Sequence, residues 1–283
     1  PSHDLHDGRW FLQVQALAHA DYPAPEGETA IPQYELFAVH EDGSPIVQLT
    51  DGKIDDLTYI EPNQSTYGLV GETDCVVRWT DEDTIVSYTA VLATYDAVTK
   101  ERTVQDGGIY ALAVDPDDLA NHDAAAMTGY PLLSLDLNPT EVRVLAQSYD
   151  WKPDGSAIVY PNHHDVPERL GVWLARASDG FSQPTRMMAN GTHLRWSPDG
   201  SRIAFYSRRG GNMDIWMIRP DGSGLKQITE TPYDTMLFAW SPDGRMVCSS
   251  SHGGGELYVI DPELSWGEQE FQKLPQPSDG RAE

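Results

Sequence analysis

The chain has 283 residues, enough to bury a large core. Its 44 Asp and Glu against 19 Lys and Arg give a formal net charge of −25. That balance excludes nucleic acid as a partner, because binding it needs a basic surface that displaces phosphate counterions, and it disfavours adhesion to anionic lipid. No stretch approaches the roughly 18 consecutive apolar residues that span a bilayer, so no membrane insertion is expected. With 24 Gly, 20 Pro, 13 Tyr and 8 Trp, the composition points to many turns around a packed aromatic core.

In chain order, His6 to Leu12 reads as a turn and a strand, Tyr34 to Val39 as the next strand, and Ile46 to Thr50 as a short outer strand after the Glu41-Asp42-Gly43-Ser44 turn. Leu57 to Val70 reads as a further degenerate module or an extension. Arg78 to Val86 begins a second module, and Ile109 to Val114 is its third strand, followed by an inserted loop over 115–130.

A clear repeat then emerges. Trp151-Lys152-Pro153-Asp154-Gly155, Trp196-Ser197-Pro198-Asp199-Gly200 and Trp240-Ser241-Pro242-Asp243-Gly244 place their tryptophans 45 and then 44 residues apart. That is the length of a four-stranded propeller blade. Within each module the Trp ends the first strand. Pro-Asp-Gly makes a tight turn, since Pro fixes φ, Asp bonds the local backbone and Gly supplies a positive φ. In the middle module the second strand is Ile203 to Tyr206, the Arg208–Asn212 stretch is a hairpin, Asp214 to Ile218 is the third strand, and Lys226 to Thr229 is the outer strand. The expectation is a single all-β domain, a β-propeller of five or six four-stranded blades. The clear blades are 149–192, 193–235 and 236–264, the degenerate ones are 4–52 and 55–148, and 265–283 is a tail or closing segment.

These repeats resemble those of TolB-like proteins, a family of periplasmic and secreted β-propellers, over residues 149–262, where Asp214-Ile215-Trp216-Met217-Ile218 and Glu256-Leu257-Tyr258-Val259-Ile260 fall in register. The resemblance implies a six-bladed ring and a periplasmic or extracellular location. A TolB protein proper would also have an N-terminal α/β domain, which the residues before position 4 are not expected to supply. The resemblance does not fix function, because the same repeat serves peptide-binding propellers, the propeller domains of serine peptidases and some polysaccharide lyases.

Several residue types invite a chemical reading. His252-Gly253-Gly254-Gly255 has the form of an esterase oxyanion motif, yet it aligns with the Ser207–Asn212 hairpin one period earlier, and no Gly-x-Ser-x-Gly elbow exists in the chain. His193 lies on an innermost strand, as do the channel-lining His residues that hold a divalent metal in oligogalacturonate lyases. The equivalent positions here, Val76, Ser148 and Leu237, do not make such a metal set. His163 and His164 occupy another hairpin, and Arg208 and Arg209 form a cationic pair on an acidic chain that could anchor a carboxylate. Asp115, Asp117, Asp118 and Asp123 make an acidic loop that could attract a divalent cation, without the pattern of an EF-hand. The two cysteines, Cys75 and Cys248, lack metal spacing and read as small buried hydrophobes.

The function expected from this pattern is a non-enzymatic binding or scaffold propeller without a cofactor. It would take a protein partner or a glycan on the funnel face, where His193, Arg208, Arg209, His163, His164 and His252 gather, or serve as a subunit of a larger assembly. The alternative is a polysaccharide lyase using channel His residues and a divalent cation. The −25 charge disfavours it, because an anionic polymer would be repelled.

Overall fold

The computed structural model describes residues 3–4, 10–17, 33–43, 46–49, 66–69, 78–79, 85–95, 102–113, 129–135, 145, 148–162, 167–250, 257–270 and 272–274. Apart from short 3-10 turns and helical residues at 145 and 148, the described elements are strands, and these assemble into five antiparallel sheets. The chain divides into two units, the first made mainly of residues 1–147 and the second mainly of 148–283.

In the first unit, β1 (His3–Asp4), β2 (Trp10–Leu17), β3 (Gln33–His40) and β4 (Ile46–Gln48) form one sheet in sequence order. The second sheet holds five strands rather than the expected four: β5 (Thr66–Leu69), β6 (Arg78–Trp79), β7 (Ile85–Tyr95), β8 (Arg102–Ala113) and β9 (Gly129–Ser134). The reason is the length of β7. At 11 residues it pairs with β6 through Val86 and Ser87 and with β5 through Ala90 to Ala93, both on the same edge. The surplus length of this module is therefore carried partly by the long β7–β8 hairpin, ahead of the expected 115–130 insertion. The buried Tyr88 and Tyr110 rings stack across that hairpin at 6.1 Å.

The second unit contains β10 (Asp150–Trp151), β11 (Ala157–Asn162), β12 (Gly171–Arg176) and β13 (Thr185–Met188). Next come β14 (Thr192–Trp196), β15 (Ile203–Ser207), β16 (Asp214–Ile218) and β17 (Lys226–Gln227). Last are β18 (Thr235–Trp240), β19 (Met246–Ser250), β20 (Leu257–Ile260) and β21 (Gln272–Lys273). Each group of four is one sheet in sequence order. β21, which falls in the 265–283 segment, pairs with β20 and so supplies the outer strand of the last sheet.

The three Pro-Asp-Gly turns share one geometry. Gly155, Gly200 and Gly244 have φ of 69°, 67° and 83°. Their N–H groups donate to the carbonyls of Lys152, Ser197 and Ser241 at 2.9, 2.8 and 2.9 Å. The Asp154, Asp199 and Asp243 carboxylates accept the N–H two residues on, at 3.0, 3.0 and 3.2 Å.

Packing in this unit follows the two-residue period of the strand. On one face of the middle sheet, Leu194, Trp196, Ile203 and Phe205 meet Ala157, Val159, Val172 and Leu174 of the preceding sheet. On the other face, Ala204, Tyr206, Ile215 and Met217 meet Met246, Cys248 and Ile260 of the following one. All five residues of β15 are buried, so this strand has no solvated face. Full burial of each Leu, Ile or Phe stabilises by about 1.5–3 kcal/mol. The outer edge is fastened by Lys226, whose ammonium donates to the Pro262, Glu263 and Leu264 carbonyls at 2.8, 2.8 and 3.2 Å.

Candidate functional site: a loop rim in the second unit

Antiparallel pairing brings several loops of the second unit to one end of its sheets. Thr192 pairs with Tyr206, and Ser207 pairs with Asp214. The connections 189–191, 208–213 and 228–234 therefore meet there, and polar side chains tie them together.

Arg208 forms an ion pair with Asp234, its two terminal nitrogens lying 2.7 and 3.2 Å from the carboxylate oxygens. Asp234 also accepts the Met213 N–H at 2.8 Å. That backbone bond and Arg208 hold its carboxyl below the ordinary carboxylate range. Asn212 Nδ2 donates to the Thr231 carbonyl at 2.9 Å.

Arg209 turns inward instead. Its guanidinium lies 5.2 Å from the Phe205 ring centroid and 5.1 Å from that of Trp216. Nε donates to Ser207 Oγ at 3.1 Å, and Nη2 donates to both the carbonyl and Oδ1 of Asn190 at 3.0 Å. Of the cationic pair read as a carboxylate anchor, Arg208 is thus already matched with Asp234, and Arg209 is a clamp between neighbouring connections.

Beneath the rim, Asp214 is a buried carboxylate. Thr229 Oγ1 and Gln227 Nε2 donate to it at 3.0 and 3.1 Å. Desolvation raises its pKa and these bonds oppose the rise.

His193 departs from the regular strand. Its φ is +52°, and the β14–β15 register shifts between Thr192 and Arg195. Its N–H donates to Ser148 Oγ at 3.1 Å, and its exposed ring packs against Tyr206 at 5.2 Å. Tyr206 in turn meets Phe238 edge-on at 5.0 Å. Partial desolvation of the imidazole, and then the nearby Arg195 charge, lower the His193 pKa. Ser148, the repeat equivalent of His193, is therefore a hydrogen-bond acceptor for it. Sequence reasoning missed Asp234, Asn190 and Tyr233. The last is 42% exposed, beside the Arg208–Asp234 pair.

His163, His164, His252, Asp115, Asp117, Asp118 and Asp123 lie outside the described residues. Among the described residues, no group of three His, Cys, Asp or Glu side chains is placed to hold a metal ion. No described helix is long and apolar enough to cross a membrane.

Three comparisons set this geometry in context. No family model matches the chain. The Tol-Pal system protein TolB of Anaeromyxobacter dehalogenans is 36% identical over 90 residues, covering 32% of this chain and 20% of that relative. The uncharacterized protein Atu1656 of Agrobacterium fabrum is 30% identical over 131 residues, 45% of this chain and 42% of that one. The match therefore spans only about a fifth of the length of the TolB relative. The solved structure of a putative TolB from Agrobacterium tumefaciens superposes with a TM-score of 0.55 at 18% identity, covering 96% of this chain and 80% of that one. The chain has the all-β propeller fold. Its Trp-x-Pro-Asp-Gly modules are of the TolB-like kind.

Proposed function

We propose that this chain is a non-enzymatic propeller module that captures a protein segment on the loop rim of its second unit, in the periplasm. The observation that carries this reading is His193. A left-handed φ at a residue other than Gly costs on the order of 1–3 kcal/mol and concentrates where function requires it. Here it accompanies a bulge that re-aims the ring outward, while Ser148 and Tyr206 fix its position. The clamps around Arg208 and Arg209 make the rim rigid before any partner arrives, which lowers the ordering cost of binding. Tyr233 and the outer side of Arg208 add the side-chain types that dominate protein interfaces. The relatives named for the Tol-Pal system support a protein partner from such a system and the periplasmic location.

The test is calorimetric titration of the whole chain with the soluble Pal domain from the same source. Saturable binding is expected, weakened at least tenfold by His193→Ala and by Tyr233→Ala, with melting temperatures unchanged. Absence of binding, or binding indifferent to both variants, overturns the proposal. So does turnover of oligogalacturonate by the purified chain, which would restore the lyase reading.

A further inference from the structure

Asn190-Gly191 is the one Asn-Gly dipeptide in the sequence. It joins β13 to β14, and three features bear on the chemistry of its side-chain amide. First, Oδ1 of Asn190 accepts from two donors, Arg209 Nη2 at 3.0 Å and Ser207 Oγ at 3.2 Å. A cation and a hydroxyl on the same carbonyl oxygen polarise it and would stabilise negative charge developing there, the logic of an oxyanion hole. Second, the following residue is forced to be Gly. A Cβ at position 191 would lie 2.8 Å from Phe205 Cδ2 and 3.2 Å from Val172 Cγ2, both on fully buried side chains. The backbone nitrogen that attacks in Asn-Gly chemistry is therefore not screened by a side chain of its own. Third, Asn190 is exposed, so water reaches it.

We propose that Asn190 is a self-modification site, at which the folded chain converts the amide into a carboxylate with Arg209 and Ser207 as the oxyanion donors. The Gly191 backbone nitrogen bonds to Asn190 Cγ and gives its proton to solvent. Charge collects on Oδ1 between the two donors. The Cγ–Nδ2 bond then breaks, and ammonia leaves with a proton from water. Water adds to the resulting five-membered imide, one imide C–N bond breaks, the Gly191 N–H is restored and a carboxylate remains. Water is consumed, ammonia is released and no oxidant is needed. The product sets an anion against Arg209, turning a cation–amide contact into an ion pair within the clamp. This inference is independent of the binding proposal.

The experiment is incubation of the whole chain at neutral pH, with peptide mass spectrometry of the 185–202 region and ion-exchange separation of the species with one extra negative charge. Conversion at Asn190 is expected to be at least fivefold faster in the native chain than in the same chain held in urea, and to fall to the urea rate in Arg209→Met. Ser207→Ala removes one donor while keeping the Arg209 cation, and an intermediate rate is expected. This variant keeps the test decisive if Arg209→Met does not fold. A native rate equal to or below the urea rate overturns the proposal, as does a Ser207→Ala rate equal to that of the native chain.

Discussion

Replacing Gly191 by Ala tests the face-to-face packing of the second unit directly. The added Cβ meets Phe205 Cδ2 at 2.8 Å and Val172 Cγ2 at 3.2 Å. Both side chains have no exposed surface, and Phe205 also lies beneath the Arg209 guanidinium, so neither ring nor methyl can step aside cheaply. Forcing a methyl into a filled core costs about 1–3 kcal/mol. That loss is expected as a lower midpoint in urea unfolding of the 192–227 sheet, followed by tryptophan fluorescence, with an unchanged denaturant slope. Trimming the opposing ring relieves the clash. The double variant Gly191→Ala/Phe205→Leu is therefore expected to lose less than the sum of the two single variants, with a coupling of about 0.5 kcal/mol or more. A Gly191→Ala chain as stable as the parent, or strict additivity in the cycle, would refute the packing argument.

Other outcomes follow from the same geometry. Asp154 and Asp199 are held at about 2, the first chiefly by Lys152 and the second chiefly by Ser197. A folded value below the unfolded one gives stability that is present above about pH 4 and lost as pH falls towards 2. Acid titration monitored by circular dichroism should show that decline, and Ser197→Ala should make it shallower. Burial pushes the Cys248 thiol up to about 11, so in a Cys75→Ser background it should resist a thiol reagent at pH 8 until urea unfolds the chain. Arg208→Ala breaks a pair whose side chains are 58% and 33% exposed, so its cost should be small and should shrink in 1 M salt (a Debye length of about 3 Å) when unfolding midpoints are compared.

The second unit was legible because its signals are local. Trp-x-Pro-Asp-Gly fixes a turn through a ring, a carboxylate and a bare Cα within five residues, so the strand boundaries around Trp151, Trp196 and Trp240 could be read without tertiary information. The extent of β7 and β8 was not legible, since Ile85 to Tyr95 has no internal punctuation and only pairing with two successive short strands defines its edge. The polar site was hidden for a different reason. Arg208 and Arg209 are identical in type and adjacent, yet one pairs with Asp234, 26 residues on, and the other with Asn190, 19 residues back. Nothing local decides such long-range partners. His193 could be singled out by repeat alignment, but the partner of its left-handed backbone is Ser148, 45 residues earlier.

The sheet at 192–227 sits like the middle card of a deck, pressed on both sides. A volume change at Ile203 is transmitted to the card below and one at Ala204 to the card above, so neither neighbour can drift in shape without this one following. Novelty in such a chain is confined to the card rims, where loops can be exchanged without disturbing the stack.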